Sequence, residues 1–124
     1  MKKKLLVVDD NQDVCITIKY IFEANDEYEV FTVESGEECL DFLKTHIPNA
    51  IILDIMLPGI DGLETYERIK ENKDWSKIPV LFLTARDDNF IEGAGRFLGD
   101  DFIEKPFDTS DLKFRIERAI EDTK

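Results

Sequence analysis

The chain has 124 residues, with 16 basic against 28 acidic side chains, a formal charge of −12, one His, two Cys and 43% hydrophobic residues. A chain of this length buries roughly 65 to 70% of the surface its unfolded form exposes, so one core suffices without disulfides or a structural metal. The acidic balance argues against direct nucleic-acid binding, since Lys2, Lys3 and Lys4 are too short a basic run to counter it.

In chain order, the first apolar run is Leu5 to Val8, ending at Asp9 and Asp10. A helical period follows in Val14, Ile18, Ile21 and Phe22, and then a more mixed stretch from Tyr28 to Val33, as an edge strand would show. Ser35 to Glu38 has the form of a capping box before a second helix carrying Cys39, Leu40 and Leu43. Ala50 to Leu53 is a third apolar run and ends at Asp54; Asp61 to Glu64 resembles a capping box before Leu63, Tyr66 and Ile69. A fourth run, Val80 to Leu83, ends at Thr84 and precedes a fourth helical segment with Phe90, Ala94 and Phe97. Phe102 and Ile103 form a short fifth strand closed by Lys105, and Leu112, Ile116, Ala119 and Ile120 define the last helix.

Apolar runs without alternation indicate strands covered on both faces. Repeated strand-helix alternation implies right-handed crossovers, and hence a doubly wound α/β fold: a five-stranded parallel sheet with helices on both faces. No linker or repeat is present, so residues 1–124 are expected to form a single domain. The apolar runs are far below membrane-spanning length and no signal peptide is recognisable. Cys15 and Cys39 lack metal spacing and read as small core hydrophobes in a reducing compartment, so the cytoplasm is the expected location.

In such sheets ligands bind beyond the carboxyl ends of the strands. Asp9, Asp10, Asp54, Thr84 and Lys105 all fall there. Three carboxylates held together repel one another unless a cation compensates, and Mg²⁺ suits oxygen donors. Thr84 can donate to a phosphoryl oxygen and Lys105 can supply a positive charge, a combination that favours phosphoryl transfer. Taken singly, Asp10 or Asn11 could cap the first helix, Thr84 could cap the fourth and Lys105 could be a solvated loop residue. Asp54 differs, because its flanks from Ile51 to Leu57 are strongly apolar and an unpaired charge there is expensive.

The strings Val7-Val-Asp-Asp10, Leu53-Asp-Ile-Met-Leu-Pro-Gly-Ile-Asp-Gly62, Leu83-Thr-Ala85 and Asp100-Asp-Phe-Ile-Glu-Lys-Pro-Phe107 resemble the receiver domain of two-component response regulators, over essentially the whole chain. The resemblance implies a flavodoxin-like strand order 2-1-3-4-5 and a phosphorylation-dependent signalling switch. It implies that Asp54 accepts a phosphoryl group from a histidine kinase. Asp10, Asp54 and the Met56 backbone carbonyl would ligate Mg²⁺ or Mn²⁺, with Asp9 acting through metal-bound water. Thr84, Ala85 and Lys105 would bind the phosphoryl group, and Lys105 would precede a cis bond to Pro106. Thr84 and Phe102 would form a switch pair that alters the face made by the fourth helical segment, the fifth strand and the last helix. Output would pass to a downstream effector protein or an output domain. The chain is expected to be a monomer or a weak phosphorylation-dependent dimer through that face, and Asp101 and Arg115 could pair across the two-fold axis.

Two features depart from the family pattern. The 21 positions from Thr84 to Lys105 are one fewer than usual, and Leu98-Gly-Asp-Asp101 replaces Gly-Ala-Asp-Asp. Gly93 and Gly95 also weaken the fourth helical segment, by about 1 kcal/mol each relative to Ala. Competing readings are weaker. Gly93, Gly95 and Gly99 miss the dinucleotide fingerprint at Leu98, and His46 lies far from the acidic edge. A haloacid-dehalogenase-like phosphatase would need a second Asp where Met56 stands. An acidic module that binds Mg²⁺ without being phosphorylated is the non-signalling alternative.

Overall fold

Period-two alternation inside each apolar run divides the core into two layers. Leu5 and Val7, Ala50 and Ile52, and Leu81 and Leu83 face one side of the sheet; Leu6 and Val8, Ile51 and Leu53, and Val80 and Phe82 face the other. The computed structural model describes residues 2–85 and 101–123. Its strands are β1 (Lys3–Val8), β2 (Tyr28–Val33), β3 (Ala50–Asp54), β4 (Val80–Ala85) and β5 (Phe102–Lys105). All pair in parallel in the order β2-β1-β3-β4-β5, as expected.

Helices α1 (Gln12–Glu23) and α4 (Thr109–Asp122) bury Cys15, Ile18 and Phe22, and Leu112, Ile116 and Ile120, against the first face. Helices α2 (Gly36–Leu43) and α3 (Gly62–Glu71) bury Cys39 and Leu43, and Tyr66 and Ile69, against the second. Fully buried Leu, Ile and Phe side chains contribute about 1.5–3 kcal/mol each, so the two layers are the main source of stability. The expected fourth helical segment, with Phe90, Gly93, Ala94, Gly95 and Phe97, lies outside the described residues.

Each described helix starts on a side-chain cap. Asn11, rather than Asp10, caps α1 by accepting from the Asp13 and Val14 N–H groups. Ser35 accepts from Glu38 N–H, while the Glu38 carboxylate turns back to Glu34 N–H at 3.0 Å, one residue before the usual capping-box partner. Asp61 caps α3 and Asp108 caps α4. At Gly62 the Cα packs against the end of β3, and its N–H donates to the Ile55 carbonyl at 2.8 Å. A Cβ there would run into the Asp54 carbonyl oxygen, so the start of α3 can approach β3 only through glycine.

At the β2 edge, α1 occupies the backbone groups of the middle outward residue. Lys3 N–H donates to the Glu27 carbonyl and Asp9 N–H to the Val33 carbonyl, which turns the odd-numbered residues toward β1 and leaves Tyr28, Val30 and Thr32 facing outward. The outward Val30 N–H donates to Glu23 Oε2 at 2.9 Å, and Lys19 Nζ donates to the Val30 carbonyl at 3.1 Å. Lys19 and Glu23 also pair with each other at 3.2 Å. The backbone bond to Val30 is the main cause that lowers the Glu23 pKa.

Arg115 pairs within its own chain, with Asp101 at 2.7 Å and Asp111 at 3.0 Å, because one turn of α4 carries Asp111 and Arg115 past the start of β5. It is therefore already engaged before any second copy is present. His46 is exposed, and its ring stacks on Phe42 at 4.5 Å and 15° with Nδ1 2.8 Å from Thr45 Oγ1.

Candidate functional site

The register of β1 on β3 pairs Val8 with Leu53, so the next residue on each strand, Asp9 and Asp54, meets its neighbour at the sheet's carboxyl edge. Asp9 is fully buried and Asp54 is 7% exposed, whereas Asp10 turns outward. One carboxylate oxygen from each of the three lies within 4.8 Å of the others. Lys105, at the end of β5, reaches past β4 with its long stem and places Nζ 2.9 Å from Asp9 Oδ2 and 3.1 Å from Asp54 Oδ2. The remaining oxygens have backbone donors: Asn11 N–H to Asp9 Oδ1 at 2.9 Å, and Met56 N–H to Asp54 Oδ1 at 3.0 Å.

Burial, reinforced by the charge on Asp9, pushes the Asp54 carboxyl up from 3.8 to about 6, although the Lys105 charge and hydrogen bond and the Met56 N–H oppose it. For Lys105, burial alone would lower the ammonium pKa; the hydrogen bond to Asp9 and the charge on Asp54 outweigh it and the net shift is upward. One ammonium thus contacts two of the three clustered carboxylates. The donor set is all oxygen and hard, which fits Mg²⁺ or Mn²⁺ and excludes a thiolate or imidazole metal. Cys15 donates its thiol to the Asp9 carbonyl at 3.4 Å from within the core, and burial raises its pKa to about 11, so it stays a neutral packing group.

The other expected residues take these positions. Met56 is the second residue of the loop after β3 and is 66% exposed. Thr84 is buried at the penultimate position of β4, and Ala85 ends that strand opposite Lys105. The Lys105–Pro106 peptide is cis. Phe102 starts β5 opposite Phe82 and packs, half-buried, on the α2/α3 side. Because Thr84 follows Phe82 by two residues, Thr84 and Phe102 share one face of the sheet as diagonal neighbours. Sequence reasoning missed Glu37, whose carboxylate accepts from Ile60 N–H in the loop after β3; a partner 23 positions away leaves no signal in spacing.

Comparison with known proteins agrees with this geometry. Residues 5–117 match the family model described as response regulator receiver domain. The chain is 38% identical over 121 residues to the alkaline phosphatase synthesis transcriptional regulatory protein PhoP of Bacillus subtilis, covering 97% of this chain and 49% of that protein. It is 33% identical to the phosphate regulon transcriptional regulatory protein PhoB of Rhizobium meliloti, covering 97% and 53%. The chain thus spans about half the length of the curated relatives it matches. Among solved structures, the Francisella response regulator 1452 receiver domain aligns with a TM-score of 0.87 at 27% identity, covering 99% of this chain and 100% of that one. The signal receiver domain of a signal transduction histidine kinase from Syntrophus aciditrophicus aligns with a TM-score of 0.87 at 30% identity, covering 98% and 92%. The chain belongs to the response regulator receiver domain family. Among the described residues, no helix is long and apolar enough to cross a membrane.

Proposed function

We propose that residues 1–124 act as one phosphorylation-dependent switch in which Asp54 accepts a phosphoryl group from the phosphohistidine of a histidine kinase. The observation that carries this reading is the buried Asp54 carboxylate at the end of β3, held between the Met56 N–H and the Lys105 ammonium beside two further carboxylates. An Asp54 oxygen attacks phosphorus, the P–N bond breaks, and the imidazole leaves with its electron pair and takes up a proton. Attack of water on the acyl phosphate returns Asp54 and inorganic phosphate, so the chain promotes its own dephosphorylation without being an enzyme in the usual sense.

Asp10, Asp54 and the Met56 carbonyl would hold Mg²⁺ or Mn²⁺, with Asp9 contributing through water. When bound, the cation supplies positive charge that offsets the repulsion among the carboxylates and the transferring phosphoryl oxygens. Lys105 neutralises one phosphoryl oxygen, and the Thr84 hydroxyl and the Ala85 backbone N–H bind others. Movement of Thr84 toward the phosphoryl group opens room on its face of the sheet, into which Phe102 turns, altering the surface made by β5, α4 and the segment before β5.

The reading implies a cytoplasmic chain that meets a histidine kinase and passes its signal to an effector protein or an output domain. The relatives PhoP and PhoB are transcriptional regulators about twice as long, which supports output through a further domain. With a charge of −12, this chain itself does not hold nucleic acid. It is monomeric, or a weak dimer once phosphorylated. Incubation with Mg²⁺ and acetyl phosphate, followed by intact mass, tests the reading: one phosphoryl group adds to the native chain and none to Asp54→Asn. Equal uptake by both would overturn the assignment of Asp54, and no uptake while Mg²⁺ binds would favour the unphosphorylated acidic module.

A further inference from the structure

The loop from Ile55 to Asp61 carries Met56, and its outer part meets the first turn of α2. Both ends of this loop are held by backbone or capping bonds. Ile55 donates to the Leu83 carbonyl at 3.2 Å and accepts from Gly62 at 2.8 Å, and Asp61 caps α3. Between those ends, the Ile60 N–H donates to Glu37 Oε2 at 3.2 Å. Gly59, with φ of +75°, lies directly under the same carboxylate: a Cβ there would stand 2.5 Å from Glu37 Oε2 and 3.0 Å from Oε1. On the other side Gly36, the residue before Glu37, packs so closely that a Cβ would enter Thr65 Oγ1 and come within 2.7 Å of Ile60 Cγ1. Two missing side chains, one on each element, thus admit a single contact between α2 and the loop.

An acid at the second position of α2 is satisfied by the helix end alone, so helix formation does not require Glu37 to engage a residue 23 positions away. We infer that Glu37 is a positioning residue that tethers the outer half of this loop and so sets where the Met56 carbonyl stands relative to Asp54. The inference rests on the cation reading given above. Partners that orient a metal ligand typically change affinity 10- to 100-fold when removed; an exposed tether four residues from the ligand should act at the lower end, about 3- to 10-fold.

The test uses the full chain as wild type, Glu37→Ala and Glu37→Gln. Gln keeps an acceptor oxygen but loses the charge. Amide exchange is followed at Met56, Leu57 and Ile60 in EDTA, and Mg²⁺ affinity by calorimetry. The expected result is faster Ile60 exchange and a Kd raised by about 3- to 10-fold in Glu37→Ala, with Glu37→Gln within about twofold of wild type on both. Equal weakening in the two variants would overturn the inference, because a lost charge rather than a lost tether would explain it; so would wild-type exchange and affinity in Glu37→Ala. A wild-type chain that binds no Mg²⁺ would instead overturn the cation reading, while the exchange rates would still decide whether the tether exists.

Discussion

Lys105 Nζ lies 2.9 Å from Asp9 Oδ2, joining the ends of β5 and β1 across 96 positions of chain and over the intervening strands β3 and β4. Asp9 has no access to solvent, and this ammonium is its charged partner among the described residues. Lys105→Met should keep the stem's packing while leaving Asp9 and Asp54 to repel each other. Breaking a fully buried pair costs about 3–5 kcal/mol, and the partial exposure of Lys105 reduces this to about 1–3 kcal/mol. Urea unfolding at pH 7.5 in EDTA should show the loss, and Mg²⁺ should narrow the gap to wild type. Equal stability of the two proteins in EDTA would show that Lys105 does not offset the carboxylates.

The Asp54 carboxyl, pushed up to about 6 by burial and by Asp9, gives a pH dependence of defined sign. The folded state holds this proton more tightly than the unfolded state, whose carboxyl keeps its ordinary value near 3.8. Its contribution to stability is therefore complete below about pH 4 and is lost as pH rises through about 6, by on the order of 2 kcal/mol. Other carboxylates, such as Glu23 with its lowered pKa, act in the opposite direction, so the measurement is a difference. In EDTA, wild type should lose stability relative to Asp54→Asn between pH 4.5 and 7.5. Parallel pH profiles for the two proteins would contradict the assigned shift.

The strands were legible because burial on both faces leaves uninterrupted apolar runs, their order came only through the family resemblance, and Asp54 stood out because Ile51 to Leu57 give a charge no other reason to be there. Two caps were legible too, since Ser35 and Asp61 act on N–H groups three residues away, whereas the Asp108 cap was not read from the sequence. Contacts between exposed polar groups far apart in the chain were not. Glu37 on Ile60, and Lys19 and Glu23 on Val30, each use side chains that read as ordinary solvated charges. For Arg115, family resemblance pointed outward to a second copy, whereas the short reach from α4 to the start of β5 makes the in-chain pair available first.

The Lys19 and Glu23 pair has a measurable role at the sheet edge. An open edge strand offers unpaired N–H and carbonyl groups to another chain, and charged side chains are a common means of blocking it. Here Val30, the middle of the three outward residues of β2, has both groups occupied. Changing both Lys19 and Glu23 to Ala should cost about 1 kcal/mol from the lost hydrogen bonds and should promote self-association at high concentration. Sedimentation velocity of the double variant checks this. A double variant that stays monomeric wherever wild type does would rule out an edge-blocking role.

Tyr28 gives the opposite kind of prediction, a substitution that stabilises. Its ring is 1% exposed and meets Phe22 edge-on at 5.0 Å and 81°, and the Lys3 ammonium lies 5.7 Å from its centre. The hydroxyl is buried without a hydrogen-bond partner among the described residues, and burial pushes its pKa up to about 12. A buried hydroxyl that has lost water and gained no partner costs about 1–3 kcal/mol, whereas the ring and its packing are retained in phenylalanine. Tyr28→Phe should therefore raise stability, by about 0.5–2 kcal/mol once imperfect repacking is allowed for. Tyr28→Ala, which also removes the ring, should lose about 3–5 kcal/mol. Urea unfolding of both variants separates ring from hydroxyl. A loss of more than about 1 kcal/mol in Tyr28→Phe would mean that the hydroxyl is hydrogen-bonded in solution.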